Sequence, residues 1–86
     1  MPEPYSADVS PVSRELTDAL IEVLRERLEQ EGLSVNRLAQ LADVPQPTLH
    51  KYLQGGGTPT VDVFNALAGP LNTDLEELLS AARRRV

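Results

Sequence analysis

The sequence has no cysteine and no tryptophan, one histidine, and only 3% aromatic residues. Without cysteine there is no disulfide framework and no thiolate chemistry. With one histidine and no glycine-rich loop after a strand, no hydrolase, metal or nucleotide constellation assembles, so no catalytic residue, cofactor or metal is expected. The run Gly55–Gly57 lacks the Lys-Ser/Thr that completes a phosphate loop. No apolar stretch approaches the roughly 20 residues a bilayer-crossing helix needs. The first residues lack a basic region followed by an apolar run, so no signal peptide is expected, and the setting is read as cytoplasmic. Positive charge is scarce as well. Eight Lys and Arg face 13 Asp and Glu, for a net charge of −5, whereas nucleic-acid binders are usually basic.

What is present is one small domain's worth of chain, 86 residues, able to bury a thin core of Leu, Val and Ala, joined by the rings of Phe64 and Tyr52. The acidity is not spread evenly. Residues 13–32 carry three arginines against six carboxylates, while residues 33–72 carry Arg37 and Lys51 against Asp43 and Asp62 and are neutral.

Apolar spacing of three and four residues predicts five helices and no strand, an all-α fold. Residues 1–12, with three prolines, are expected to form a flexible N-terminal arm. Ser10 or Ser13 is expected to cap a helix over 14–31 whose inward stripe is Leu16, Ala19, Leu20, Val23, Leu24 and Leu28. Gly32 ends it. Ser34 caps a second helix over 35–42, with Leu38, Leu41 and Ala42 inward. In "DVPQPTLHKYLQGG", residues 43–56, the two prolines fall where a helix has no intrahelical use for its N–H groups. A third helix over about 46–54 follows, with Leu49 and Leu53 inward. Thr58 or Thr60 caps a fourth, over 60–69, with Val61, Phe64, Leu67 and Ala68 inward. "TDLE" at 73–76 is expected to be a capping box opening a fifth helix. The organisation is thus an arm at 1–12, a helical domain at 13–82 and a basic tail at 83–86.

Two short helices joined by a turn of three or four residues and framed by longer ones have the layout of a helix-turn-helix. From Gly32 to Leu79 the chain resembles the lambda-repressor-like (Cro/Xre-type) helix-turn-helix family. The resemblance rests on Leu38-Ala39, Val44, Leu49, Gly55 with Pro59, Leu67-Ala68, Leu71 and Leu78-Leu79. "VPQPTLHKYLQG" is similar to the recognition helices of prophage-type repressors. The resemblance implies a DNA-binding transcriptional regulator of repressor type, with 35–42 bracing the backbone and 46–54 in the major groove. Gln46, Pro47, Thr48 and Lys51 then fall where the family touches DNA. The Gln46 amide suits adenine and Lys51 suits guanine or phosphate. Gln54 and the stretch from Gly55 to Thr58 would lie against the sugar-phosphate chain. The N–H groups near Ser34 and Val35 suit a phosphate. The expected partner is a double-stranded DNA operator bound by a homodimer on half-sites roughly 34 Å apart.

Blander roles stand beside these. His50 is a polar surface group, or within the DNA reading a phosphate contact. Arg37 contacts a phosphate, or pairs with Asp43 or a helix-1 glutamate. Arg25 and Arg27 read as a solvated face, Arg83–Arg85 as a cap or charged tail, and Ile21 and Leu24 as extra apolar width open to a partner. Val35, Asp43 and the uncharged loop also suit an alternative use of the same fold: a protein-interaction module, antitoxin-like or adaptor, whose acidic first helix docks a protein partner.

Overall fold

The computed structural model describes the backbone of residues 4–86 and the side chains of residues 14–86. Five helices follow in order: α1 (Pro4–Glu31), α2 (Val35–Ala42), α3 (Gln46–Leu53), α4 (Val61–Ala68) and α5 (Leu75–Arg83). Among the described residues there is no strand.

The inward stripes meet in one core. Every helix places one leucine at its centre, Leu24, Leu38, Leu49, Leu67 and Leu78, and Leu71 joins them from the α4–α5 turn; all six are essentially inaccessible. Burial of each stabilises the fold by roughly 2 kcal/mol relative to leaving it in water. Phe64 is buried among them, while Tyr52 is only half-buried. α1 packs along α5 and against α3; α2 packs on α3 and α4, and α4 on α5.

Local chemistry sets most helix ends. Gly32 adopts the left-handed conformation after α1. Ser34 and Thr60 cap α2 and α4 through their hydroxyls, which accept from the N–H groups of Arg37 (3.0 Å) and Val63 (3.3 Å). These bonds satisfy N–H groups that have no partner inside the helix.

The structure corrects several expectations. α1 begins at Pro4, so residues 4–12 are helical backbone where an arm was expected; residues 1–3 of that arm lie outside the described residues. Proline at a helix start forgoes only an N–H with no intrahelical partner. Ile21 and Leu24 are core rather than a surface for a partner. Leu41 is 47% exposed, because the inward stripe of α2 is Val35, Leu38, Ala39 and Ala42, and Leu41 lies roughly a third of a turn away from it. Val61, in the first turn of α4, is 67% exposed. The cap of α5 is Asp74 rather than Thr73: its carboxylate accepts from Glu77 N–H at 2.8 Å. The helix thus starts one residue later than a Thr73 cap would set it, with a charged acceptor at the cap, and Thr73 donates to the Glu77 carboxylate at 2.5 Å. Gly69 is right-handed at the end of α4, and the left-handed turn falls on Asn72.

Arg25 and Arg27 are not a solvated face. Arg25 Nε–H donates to the Leu53 carbonyl at 2.8 Å, and Arg27 donates to the carbonyls of Leu71 (3.2 Å) and Asn72 (2.9 Å). At the basic end Arg84 is the C-cap of α5. α5 includes Arg83, and Arg85 bonds Glu26 and, at 3.4 Å, Glu22 on α1. The hydrogen bond from Arg85 holds the Glu26 carboxyl below its usual value; a smaller desolvation effect opposes this, and the positive charge adds to it.

Candidate nucleic-acid interface

α2 closes at Asp43, which takes the left-handed conformation (φ 59°, ψ 44°). The Val44 N–H then returns to the Ala39 carbonyl at 2.9 Å, reversing the chain. Aspartate is one of the few residues with a side chain that tolerates this geometry. Residues 43–45 are the whole connection to α3.

α3 opens with Pro45 as its N-cap and Pro47 at its second position. No side chain caps this turn, and the first bond closes from Leu49 N–H to the Pro45 carbonyl at 3.0 Å. The N–H groups of Gln46 and Thr48 are therefore left for an outside acceptor. Proline's fixed φ also holds the turn in place before anything binds.

Leu49 and Leu53 anchor α3 to the core, with Val44 half-buried beside them. Helical spacing then turns Gln46, Pro47, His50, Lys51 and Gln54 to solvent; Thr48 is half-buried at the margin. The structure thus brings these α3 residues onto one exposed helix. Ser34 and Arg37 sit at the start of α2, both exposed, and Thr58 lies separately in the loop before α4. The Ser34 hydroxyl oxygen is engaged in capping, which leaves its O–H free to donate. Arg37 reaches neither Asp43 nor a helix-1 glutamate; it donates to Gln40 Oε1 at 3.3 Å.

One residue near the site had no signal in the sequence. Asn36 on α2 lies with its Oδ1 at 3.2 Å from His50 Nε2, tying the two helices of the motif together on their outer side. The pair is formed by the tertiary approach of α2 and α3, so no local spacing announces it.

The glycines after α3 also gain a role. A Cβ on Gly56 would stand 2.9 Å from Lys51 Cγ and 3.2 Å from the Lys51 carbonyl. Gly56 N–H in turn donates to that carbonyl at 2.8 Å. The chain therefore folds back flush against the Lys51 stem, and any side chain at 56 would displace it. Among the described residues neither Lys51 nor Arg37 enters an ion pair, and no group of His, Asp and Glu could hold a metal.

A family model described as helix-turn-helix matches residues 24–78, most of the chain and all four of its short connections up to α5. The chain belongs to the lambda-repressor-like helix-turn-helix family. That is a family of DNA-binding regulatory domains and not of enzymes. No curated protein and no solved structure gave a significant match. In this helix-turn-helix protein α2 and α3 are the two helices of the motif, and α3 is its second. Among the described residues no helix is long and apolar enough to cross a membrane.

Proposed function

We propose that this helix-turn-helix protein is a sequence-specific transcriptional regulator of repressor type that binds a DNA operator as a homodimer. The observation that carries the reading is the two-sided character of α3. Leu49 and Leu53 lock it to the core, while its opposite side is exposed, polar and opened by an uncapped turn. In this reading α3 lies in the major groove with its N-terminal end toward the bases. Gln46 presents its amide to adenine, Lys51 reaches guanine or a phosphate, and Pro47 and Thr48 contact the groove wall. Gln54, His50 and Thr58 lie along the sugar-phosphate chain, and Ser34 and Arg37 meet a phosphate at the start of α2. Few cations line this surface, so non-specific affinity is low and two copies on a two-fold site supply the strength.

The test begins with duplexes selected by the protein from a random-sequence pool, followed by fluorescence anisotropy across a salt series. The expected consensus is an inverted repeat with half-site centres about one helical turn apart. Gln46→Ala should lose roughly 1–3 kcal/mol of discrimination at one base position. Lys51→Ala should reduce the slope of log affinity against log salt by about one if it meets a phosphate. Absence of binding at low salt, with wild type and both variants alike, overturns the reading. It would favour the protein-interaction module instead, a use for which Asp43 on the motif and the uncharged loop at Gly55–Thr58 speak.

A further inference from the structure

We propose that Arg25, on α1 and outside the two helices of the motif, is a positioning residue that sets the angle of α3 for base recognition. The inference rests on the DNA-binding reading above and adds to it a residue that does not itself touch the bases.

The argument starts from the end of α3. A helix leaves its last carbonyls without intrahelical partners. Here the N–H groups of Gln54, Gly55 and Gly56 return to the carbonyls of His50, Lys51 and Tyr52. The Leu53 carbonyl is outside that set, and its partner is Arg25 Nε–H, at 2.8 Å and partly buried. The guanidinium also stands where the negative end of the α3 dipole favours a cation.

Leu53 holds this end of the helix to the core on one side. A cleft of about 260 Å³ opens beside it, lined by Arg25, Leu28, Val35, His50, Leu53 and Gln54. On the cleft side no side chain packs over the helix end, and the bond from Arg25 joins α1 to the Leu53 carbonyl there. Lys51 sits in the turn that this bond ends, and a tilt of the helix axis would carry Gln46 at its other end with it. Base-edge hydrogen bonds depend on direction and would weaken, whereas attraction to phosphates tolerates small displacements.

The experiment compares wild type, Arg25→Met and Arg25→Lys on a duplex selected by the wild type and on a scrambled duplex of the same composition, each across a salt series. Methionine keeps an apolar stem and removes both charge and donor. Lysine keeps the charge and loses the planar donor at Nε. Both variants are expected to bind the selected duplex about tenfold more weakly, a change of about 1.4 kcal/mol. Binding to the scrambled duplex and the salt slope should stay as in wild type. In the free protein, NMR should find the Arg25 Nε–H protected from exchange, with the amides of residues 53–57 shifted in Arg25→Met.

Equal weakening on both duplexes, with the salt slope reduced by about one, overturns the proposal in favour of a phosphate contact. A lowered melting temperature with unchanged affinity for the selected duplex makes Arg25 merely structural and also overturns it. So does wild-type affinity in Arg25→Lys, since charge alone would then suffice. A wild-type chain that selects no duplex refutes the DNA reading, and this inference with it, before any substitution is made.

Discussion

The α1–α5 side of the molecule and the α2–α3 end treat their charged and polar groups in opposite ways. Along α1, guanidinium groups are tied down: Arg27 to the carbonyls of Leu71 and Asn72, and Arg85 from beyond α5 to Glu22 and Glu26. On α3, Gln46, Lys51 and Gln54 are exposed and have no side-chain partner among the described residues. Charged side chains thus act as fasteners between helices on one side, while Gln46, Lys51 and Gln54 stay unengaged on the other. Three of the eight basic residues, Arg25, Arg27 and Arg85, hold helices together, and the surplus carboxylates lie outside residues 33–72, which leaves the motif neutral in an acidic protein.

The contrast depends first on the anchor beneath α3. Leu49 is fully buried, so Leu49→Ala should cost roughly 2–5 kcal/mol in urea denaturation. A loss well under 1 kcal/mol would mean that α3 is not held by the core. Next in size is the α5 cap. Asp74→Ala should cost about 1 kcal/mol, while Thr73→Val costs clearly less, because Asp74 and not Thr73 accepts the Glu77 N–H. The opposite ranking in thermal melts would restore Thr73 as the cap.

At the motif itself, Asp43→Gly should stabilise by roughly 0.5 kcal/mol, since glycine adopts the left-handed φ of 59° without strain but loses more freedom on folding. It also removes an anion from the turn of the motif, so non-specific DNA affinity should rise at low salt in anisotropy. A destabilised variant would mean that the Asp43 side chain supports the turn. The smallest effect belongs to Glu26, whose carboxyl is held below its usual value by Arg85. A depressed folded-state value gives stabilisation that is present above the ordinary carboxylate value of 4.5 and is lost as pH falls through the folded-state value. Glu26→Gln should therefore narrow the gap between melting temperatures at neutral pH and in acid. Both groups are solvent-exposed and the shift in melting temperature should be small. An unchanged gap would show that the pair adds nothing to stability.

Much of this architecture was legible along the chain. The bounds of α2 agree with expectation and those of α3 and α4 nearly so, because Ser34, Thr60, Pro45 and Pro47 act within one turn of where they stand. The exposed side of α3 was legible for the same reason: Leu49 and Leu53 are four residues apart, and their burial turns Gln46, His50 and Lys51 outward. Where two neighbours can serve one role, as Thr73 and Asp74 can, local spacing does not separate them, and Asp74 is the cap. Leu41 failed differently. A stripe read on one short helix cannot tell which of two candidate faces its neighbours cover.

Most helix ends, most of the inward stripes and the neutral stretch holding the motif follow from forces that reach one or two turns, so the order of residues was enough to place them. The bonds from Arg25 to Leu53, Arg27 to Leu71 and Asn72, and Arg85 to Glu22 and Glu26 join residues 28 to 63 positions apart. In sequence Arg25 and Arg27 stand among glutamates and Arg85 in a run of arginines, with nothing to mark their partners. Only the packing of α1 against α3 and α5 brings particular carbonyls and carboxylates within reach, and that packing turned apparently solvated charges into ties between helices.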